Sequence, residues 1–378
     1  MSEAERFDAI VVGVGGMGSA ALYHLARRGL RVLGIERFGI AHDRGSSHGV
    51  NRIIRLAYLE HPSYVPLLRR AYRLWRELET DAGEQLLFIT GSLDIGPPGS
   101  LTLDGSVLAC QLHDLEHEML SADDVARRFP GYRLPSAVRA LFQPEGGFVL
   151  AERGVAAHAA AAMAAGASIH ERESVLDIDT SGTDLRMVTD RGAYVASRIV
   201  ITAGAWSASL LRELTPLAVP ERQVLMWTAV SAPERFQPSS FPVFNLELPE
   251  GRFYGFPEFG IPGFKIGKYH HRHEVVSPDG IDRDIHPEDE QVLRDAIRQC
   301  FPDADGPVLH AVTCMFTNSP DEHFIVDVWP ADRRIVIAAG FSGHGFKFCP
   351  VIGEILAQLA DTGETAHDIT LFRVGRFS

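Results

Sequence analysis

Residues 7–37, FDAIVVGVGGMGSAALYHLARRGLRVLGIER, constrain the fold more than any other stretch of the chain. Ala9 to Val12 is a continuous apolar run, the pattern of a parallel strand buried on both faces. Gly13, Gly15 and Gly18 follow as G-x-G-x-x-G and open a helix that ends at Gly29, a left-handed cap. Arg31 to Ile35 is the next strand. The first glycine allows the tight turn, the second lets backbone approach a pyrophosphate, and the third permits close packing of helix on strand. The helix N-terminus then faces the phosphates. Glu36 closes the second strand about 20 residues on, where a carboxylate accepts from a ribose 2′-hydroxyl and disfavours a 2′-phosphate. The unit predicts a dinucleotide site for NAD or FAD, not for NADP.

A length of 378 residues implies about two domains at ~150 residues each. A chain with 46% hydrophobic and 22% charged residues is expected to fold as a globular α/β protein. The 36 Lys and Arg against 49 Asp and Glu leave a charge of −13, and no basic run could track a phosphate backbone, so nucleic acid and anionic membranes are not expected as partners. The acidic start MSEAER is unlike a signal peptide, and no uncharged apolar stretch reaches the ~18 residues of a membrane span without several glycines in it. A cytoplasmic protein is expected. Four cysteines, Cys110, Cys300, Cys314 and Cys349, are too sparse for a disulfide framework and form no C-x-x-C pair.

The polar loop GSSHGVNRIIR (45–55) carries His48, Arg52 and Arg55 close to the expected cofactor site. A helical turn there would put both guanidinium groups on one side. SYVPLLRRAYRLWRELE follows as an amphipathic helix with Leu68, Tyr72, Trp75 and Leu78 on its core face. Further on come an alanine-rich helix (151–166) and strands up to Ile199–Ile201, which run into TAGAW (202–206), where Ala203 and Gly204 leave room for a ligand. Near the C-terminus, RRIVIAAGFSGHGFKFCPVIGEILAQLA (333–360) is a strand, a loop with Gly340, Gly343 and Gly345, and a helix. Lys347 lies in that junction. Cys349, at the start of the helix, reads as packing.

These pieces predict one Rossmann-like dinucleotide domain assembled from 1–83, 150–215 and 310–378. Segments 84–149 and 216–309, richer in Pro, Phe and alternating patterns, predict a second domain with a mostly antiparallel sheet. In GRFYGFPEFGIPGFKIGKYHHRHE (251–274), Lys265 sits between Phe264 and Ile266 on an expected strand, a lysine in an aromatic enclosure. Alternation would send His271 and His273 to one face, but no acid or cysteine at ligand spacing completes a metal site, and no metal is expected.

Taken together, FDAIVVGVGGMGSAA, GSSHGVNRIIRLAY, YGFP with a following lysine, TCMFTNSPDEHFIVD and AAGFSGHGFKF resemble the monomeric sarcosine oxidase and N-methyl-tryptophan oxidase family, within the FAD-dependent D-amino-acid oxidase superfamily. The resemblance runs co-linearly from residue 7 to about 372. It implies FAD bound covalently, as an 8α-S-cysteinyl thioether through Cys314. A thiolate is the attacking form, and nearby cations favour it. It further implies His48 and Arg52 beside the flavin, Arg55 and Lys347 on the substrate carboxylate, Lys265 beneath the flavin where O2 takes electrons, and Tyr254 on the substrate side. The implied cofactor contacts are Gly13, Gly15, Met17, Gly18, Glu36, Arg37, Ser46, Arg52, Val175, Ala203, Gly204, Trp206, Cys314, Met315, Gly343, His344, Gly345, Phe346 and Lys347. Two positions depart from the family: Tyr269 or His270 stands where it has a histidine, and Asn51 where it has a small hydroxyl residue.

The function expected from this resemblance is a monomeric oxidase of secondary amino acids, N-methylated or cyclic. A hydride equivalent passes to the flavin, the imine hydrolyses, and O2 becomes hydrogen peroxide. The rivals are a flavin dehydrogenase passing electrons to a carrier, and an NAD-binding or non-catalytic protein built on the same nucleotide unit.

Overall fold

The N-terminal apolar run becomes the strand Glu5–Val12, and the structure, a computed structural model that describes residues 4–377, is built outward from it. Val32–Glu36 pairs parallel along one edge of this strand and Ala193–Ile201 along the other. Ser168–Glu171 adds to Val32–Glu36, also parallel. Ala193–Ile201 divides its free edge: its first half takes the antiparallel strand Leu185–Thr189, and its last three residues take Ile335–Ala339 in parallel. Val175–Asp179 and Ile325–Val328 complete eight strands. The buried-on-both-faces reading of Ala9 to Val12 holds, since Gly16–Arg27 packs with Ala151–Ala164 and Cys349–Thr362 into one core and a second apolar cluster covers the opposite face.

A second sheet of eight strands runs in the order Val308–Asn318, Val219–Thr228, Phe264–Lys268, Gly251–Phe256, Val243–Leu248, Ser92–Gly96, Arg139–Gln143, Glu118–Ser121. Every neighbouring pair is antiparallel except Val243–Leu248 with Ser92–Gly96. Phe241, Phe244, Phe264 and Phe301 stack beneath it against the helix Pro287–Cys300. A small antiparallel sheet of Asn51–Ile54, Gly147–Leu150 and Leu87–Ile89 joins the two halves. The fold is mixed α/β, and no helix among the described residues is long and apolar enough to cross a membrane.

The chain crosses between halves later than the change in composition suggests. Residues 308–318 belong to the second sheet, with Cys314 opposite Gln223, so the boundary expected at 310 falls inside a strand. Val308–Asn318 forms one edge of the second sheet, and the chain enters the first sheet only at Ile325.

Two glycines of the first turn are sterically required. Gly13 has φ +87°, and a Cβ there would lie 2.7 Å from the Thr202 carbonyl oxygen. A Cβ on Gly18 would lie 1.8 Å from the Gly13 carbonyl oxygen, closer than any contact permits. Gly18→Ala is expected to lower stability by about 1–3 kcal/mol, read as an earlier urea midpoint. Gly192→Ala, whose Cβ would meet nothing within 4 Å, leaves the midpoint in place.

Candidate active site

Between the glycine turn of the first sheet and the inner face of the second lies a cavity of about 550 Å³. Gly13, Gly15 and Met17 of the first turn line it, followed by Glu36 and Arg37 at the end of the next strand and by Ser46 and Arg52. Val175, Ala203, Gly204 and Trp206 add to the first-sheet side, while Tyr254, Cys314 and Met315 come from the second sheet. Gly343, His344, Gly345, Phe346 and Lys347 come from the C-terminal loop. Gly18, His48, Arg55 and Lys265 do not line it. Gly18 is spent on helix packing, and the other three lie behind the wall.

Glu36 is held in place by its own backbone: its carboxylate accepts from Val14 N at 2.8 Å and Phe38 N at 2.9 Å, and His42 Nε2 lies 3.3 Å away. Burial would push its pKa up, but these donors outweigh that and hold it below the usual range. An anionic acid thus stands on the wall beside the glycine turn, the arrangement that accepts from a ribose hydroxyl.

Cys314 differs from the other cysteines. Arg52 Nη2 lies 3.7 Å from its sulfur, and the carbonyl oxygens of Gly45 and Ser46 lie at 3.9 Å. Burial would raise the thiol, but the neighbouring His48 ring, and then the Arg52 charge, bring it down to about 7. Burial drives Cys110 and Cys300 up to about 12 and raises Cys349 well above the usual thiol value. His48 Nε2 is itself buried with no hydrogen-bond partner among the described residues.

The two arginines part company. Asn51–Ile54 is a strand and not a helical turn, because Ile53 and Ile54 pair into the small sheet, and alternation sends Arg52 and Arg55 to different surroundings. Arg52 reaches the cavity, donating to Asn51 O and Ser46 O at 2.9 Å each. Arg55 is buried behind it, with Nε on Asp94 Oδ1 at 3.2 Å and Nη2 on Glu60 Oε2 at 3.3 Å. Glu60 and Asp94 were not foreseen. Neither lies in a local motif, and each meets Arg55 only through the fold.

Lys265 sits on the strand Phe264–Lys268 and donates to Gly49 O at 2.7 Å, Asn51 O at 2.9 Å and Asn51 Oδ1 at 2.7 Å. Its ammonium also lies 4.1 Å above the Phe256 ring centre. Burial and then Arg52 push its pKa well down, while three oxygens use all three ammonium hydrogens. Asn51, the departure from the family pattern, is therefore a ligand of this lysine. Glu152, at the start of Ala151–Ala164, was also missed. It accepts from Gly49 N at 2.6 Å and Val50 N at 3.1 Å, fixing the same turn.

Lys347 is buried and donates only to His344 O, at 2.8 Å, leaving two hydrogens for a ligand. Burial, reinforced by Arg55, lowers its pKa to about 7. Trp75 Nε1 donates to Lys347 O at 2.9 Å, so an aromatic read as core also positions this residue. His344 is kept neutral by burial, at about 4, with Tyr58 Oη on Nδ1 at 2.6 Å and Nε2 on Glu322 O at 2.9 Å.

Tyr269 and Tyr254 face each other on the wall with ring centres 5.1 Å apart, and Arg252 lies 4.4 Å over the Tyr269 ring. His270 turns away. The strand ends at Lys268, and His270 and His273 have φ of +54° and +57°, so the expected alternation of His271 with His273 fails. His271 is buried against Asp289 at 3.2 Å. Glu221, His270 and His273 instead bring ligand atoms within 4.8 Å of one another. His270 bridges Glu221 at 3.1 Å and Glu322 at 3.0 Å, and those two hydrogen bonds raise it to about 9, an imidazolium between carboxylates.

A glycine turn with an acid at the next strand's end, opening onto a wall with one low-pKa thiol, defines a dinucleotide-binding oxidoreductase in which the cofactor meets a second domain. The residues present fit FAD: the turn admits a pyrophosphate only without side chains, and the Cys314 thiolate faces the same cavity. Comparison with known proteins agrees. The profile "FAD dependent oxidoreductase" matches residues 8–359. A monomeric sarcosine oxidase of Streptomyces avermitilis is 43% identical over 371 residues, covering 97% of this chain and 96% of that protein. An N-methyl-L-tryptophan oxidase of Yersinia pseudotuberculosis is 34% identical over 98% of this chain and 99% of its own. The solved structure of NikD, "an unusual amino acid oxidase", superposes with a TM-score of 0.85 at 27% identity, covering 98% and 97% of the two chains. The chain belongs to the FAD-dependent oxidoreductase family.

In apoprotein produced under riboflavin starvation, so that no flavin has been attached, alkylation of Cys314 by iodoacetamide is expected to accelerate as pH rises through about 7, because the thiolate is the reacting form. His48→Asn moves that midpoint upward. Peptide mapping of the alkylated product reads both.

Proposed function

We propose that this protein is an FAD-dependent oxidase of secondary amino acids, N-methylated or cyclic, with the flavin held through a thioether to Cys314. The observation that carries the substrate class is Lys347: a buried ammonium on an aromatic cavity wall, with one protein acceptor and two hydrogens free. A carboxylate satisfies it, and Tyr254 and Tyr269 supply the apolar surface for the rest of a small amine. The relatives named as oxidases of sarcosine and N-methyl-L-tryptophan support the same class.

FAD, when bound, supplies the electron acceptor for the carbon next to nitrogen and the reduction of O2 to hydrogen peroxide. The protein's part is orientation and charge. Lys347 anchors the carboxylate end, so the amine end is directed along the cavity. The aromatic wall excludes water, which strengthens each charge contact. Arg52 and His48 favour the thiolate of free Cys314, the form that attacks the flavin when the thioether is made. Lys265, locked by three oxygens, adds fixed positive charge behind the wall where negative charge grows on oxygen. Water then hydrolyses the released imine to a carbonyl compound and an amine. We further propose a cytoplasmic monomer, in line with the relatives named monomeric.

Three measurements test this. N-Methylated and cyclic amino acids bleach the flavin anaerobically and, in air, yield one peroxide per O2 consumed; reduction of an added carrier without peroxide points to a dehydrogenase. Cys314→Ser releases its flavin into the supernatant on acid precipitation, whereas the parent pellet stays yellow; a colourless parent pellet rejects the thioether. Lys265→Met slows reoxidation by O2 at least tenfold more than anaerobic reduction, and equal losses in both steps reject the role assigned to this lysine.

A further inference from the structure

The acid that local spacing does not place beside the histidines of 270–273 is supplied by the fold. Glu221, on Val219–Thr228, is 6% exposed and lies against the turn that follows Phe264–Lys268. One ligand atom from each of Glu221, His270 and His273 lies within 4.8 Å of the other two. His270 Nδ1 is 3.1 Å from both Glu221 oxygens. Ligand atoms held ~2.0–2.2 Å from a tetrahedral ion stand ~3–3.5 Å apart, so this pair already has the separation an ion needs. His273 is exposed, and rotation of its side chain closes the remainder.

The groups around these three are arranged as an outer shell. Gln223 Nε2 donates to Glu221 Oε1 at 2.7 Å and Asn318 Nδ2 to Oε2 at 3.0 Å, so two neutral amides aim the carboxylate. Gln223 Oε1 also accepts from His271 N at 3.2 Å, which ties the turn to the same strand. On the other side of His270, Glu322 Oε1 lies 3.0 Å from Nε2. A carboxylate on the second nitrogen of a ligating histidine fixes its ring and tautomer. No arginine or lysine among the described residues pairs with Glu221: Arg222 is on Asp289 at 2.8 Å, Arg272 on Glu274 at 3.2 Å and Arg252 beside Glu322 at 3.7 Å. An imidazolium at His270 would satisfy both acids without His273. Yet the His273 ring, which makes no hydrogen bond among the described residues, stacks on His270 with centres 5.4 Å apart and planes 5° from parallel. Both histidines take left-handed backbone, unfavourable for a residue with a Cβ, to reach that arrangement.

We propose that Glu221, His270 and His273 bind one divalent ion of the zinc class, through a carboxylate oxygen, His270 Nδ1 and one His273 nitrogen, with water in the fourth position. Two imidazoles and a carboxylate suit zinc and its transition-metal neighbours, whereas magnesium and calcium take oxygen ligands. The ion replaces the proton between His270 and Glu221, which passes to water, while Nε2 keeps its hydrogen and donates it to Glu322. Tyr269 precedes His270 and lines the cavity, as does Phe316, opposite Glu221 in the sheet. The ion therefore fixes that part of the cavity wall from behind.

Calorimetry on the purified protein, stripped of metal with EDTA and then freed of the chelator, tests this with zinc chloride as the probe. One zinc is expected to bind per chain, undisturbed by millimolar magnesium or calcium. His273→Asn, which keeps a residue tolerant of left-handed backbone, and Glu221→Gln are expected to weaken binding about a hundredfold, and Glu322→Gln about tenfold. Copper(II) bound to the parent protein should show two imidazole nitrogens by pulsed electron paramagnetic resonance. Zinc affinity unchanged in His273→Asn would place the ion on other histidines and overturn the inference. So would the absence of saturable binding, displacement of zinc by magnesium, or a copper signal without imidazole nitrogen. The resonance measurement needs only the parent protein and His273 is exposed, so the outcome is decided even where Glu221→Gln does not fold. None of these readouts uses flavin turnover, so they stand or fall apart from the oxidase reading.

Discussion

Arg52 stands 3.7 Å from the Cys314 sulfur, and this contact joins the two halves of the molecule where they share a cavity. Arg52 belongs to the small bridging sheet and Cys314 to the eight-stranded second sheet, while the glycine turn across the cavity belongs to the first. A sulfur that is buried and yet easily ionised exists only where cations are held against it, so the positions of three sheets must agree to within a hydrogen-bond length. The Lys265 and Glu152 contacts to residues 49–51 serve that agreement: they pin from two directions the turn that carries His48 and Arg52.

Buried positive charge recurs around the cavity, and each instance is compensated differently. Lys265 is compensated by neutral oxygens, Arg55 by two acids, and Lys347 by one carbonyl, which leaves it unsatisfied. The difference separates structural cations from one aimed at a ligand. Fully satisfied buried networks rigidify a site, whereas a buried donor without a partner is costly until a ligand supplies one.

Much of this was legible in the sequence because it is local. The glycine spacing, the acid at the second strand's end and the strand-to-helix junction at 340–349 are short patterns with a steric meaning, and these segments meet at one cavity. What was not legible depends on contacts distant in sequence. Asp94 and Glu60 read as ordinary acids until the fold sets both on Arg55, and NRII carries too few residues to distinguish a strand from a helical turn. The histidines of 270–273 were misplaced because alternation was extended past Lys268, where left-handed residues end the strand. The boundary at 310 was drawn on composition, which does not register that Val308–Asn318 pairs backward onto Val219–Thr228.

The claim on which the rest depends is that the cavity holds a flavin fastened to one sulfur. Mass spectrometry of peptides from the purified, untreated protein addresses it most directly. The peptide containing Cys314 is expected to carry the added mass of one FAD, with those bearing Cys110, Cys300 and Cys349 unmodified; a Cys314 peptide found wholly at its unmodified mass in yellow protein would contradict the account.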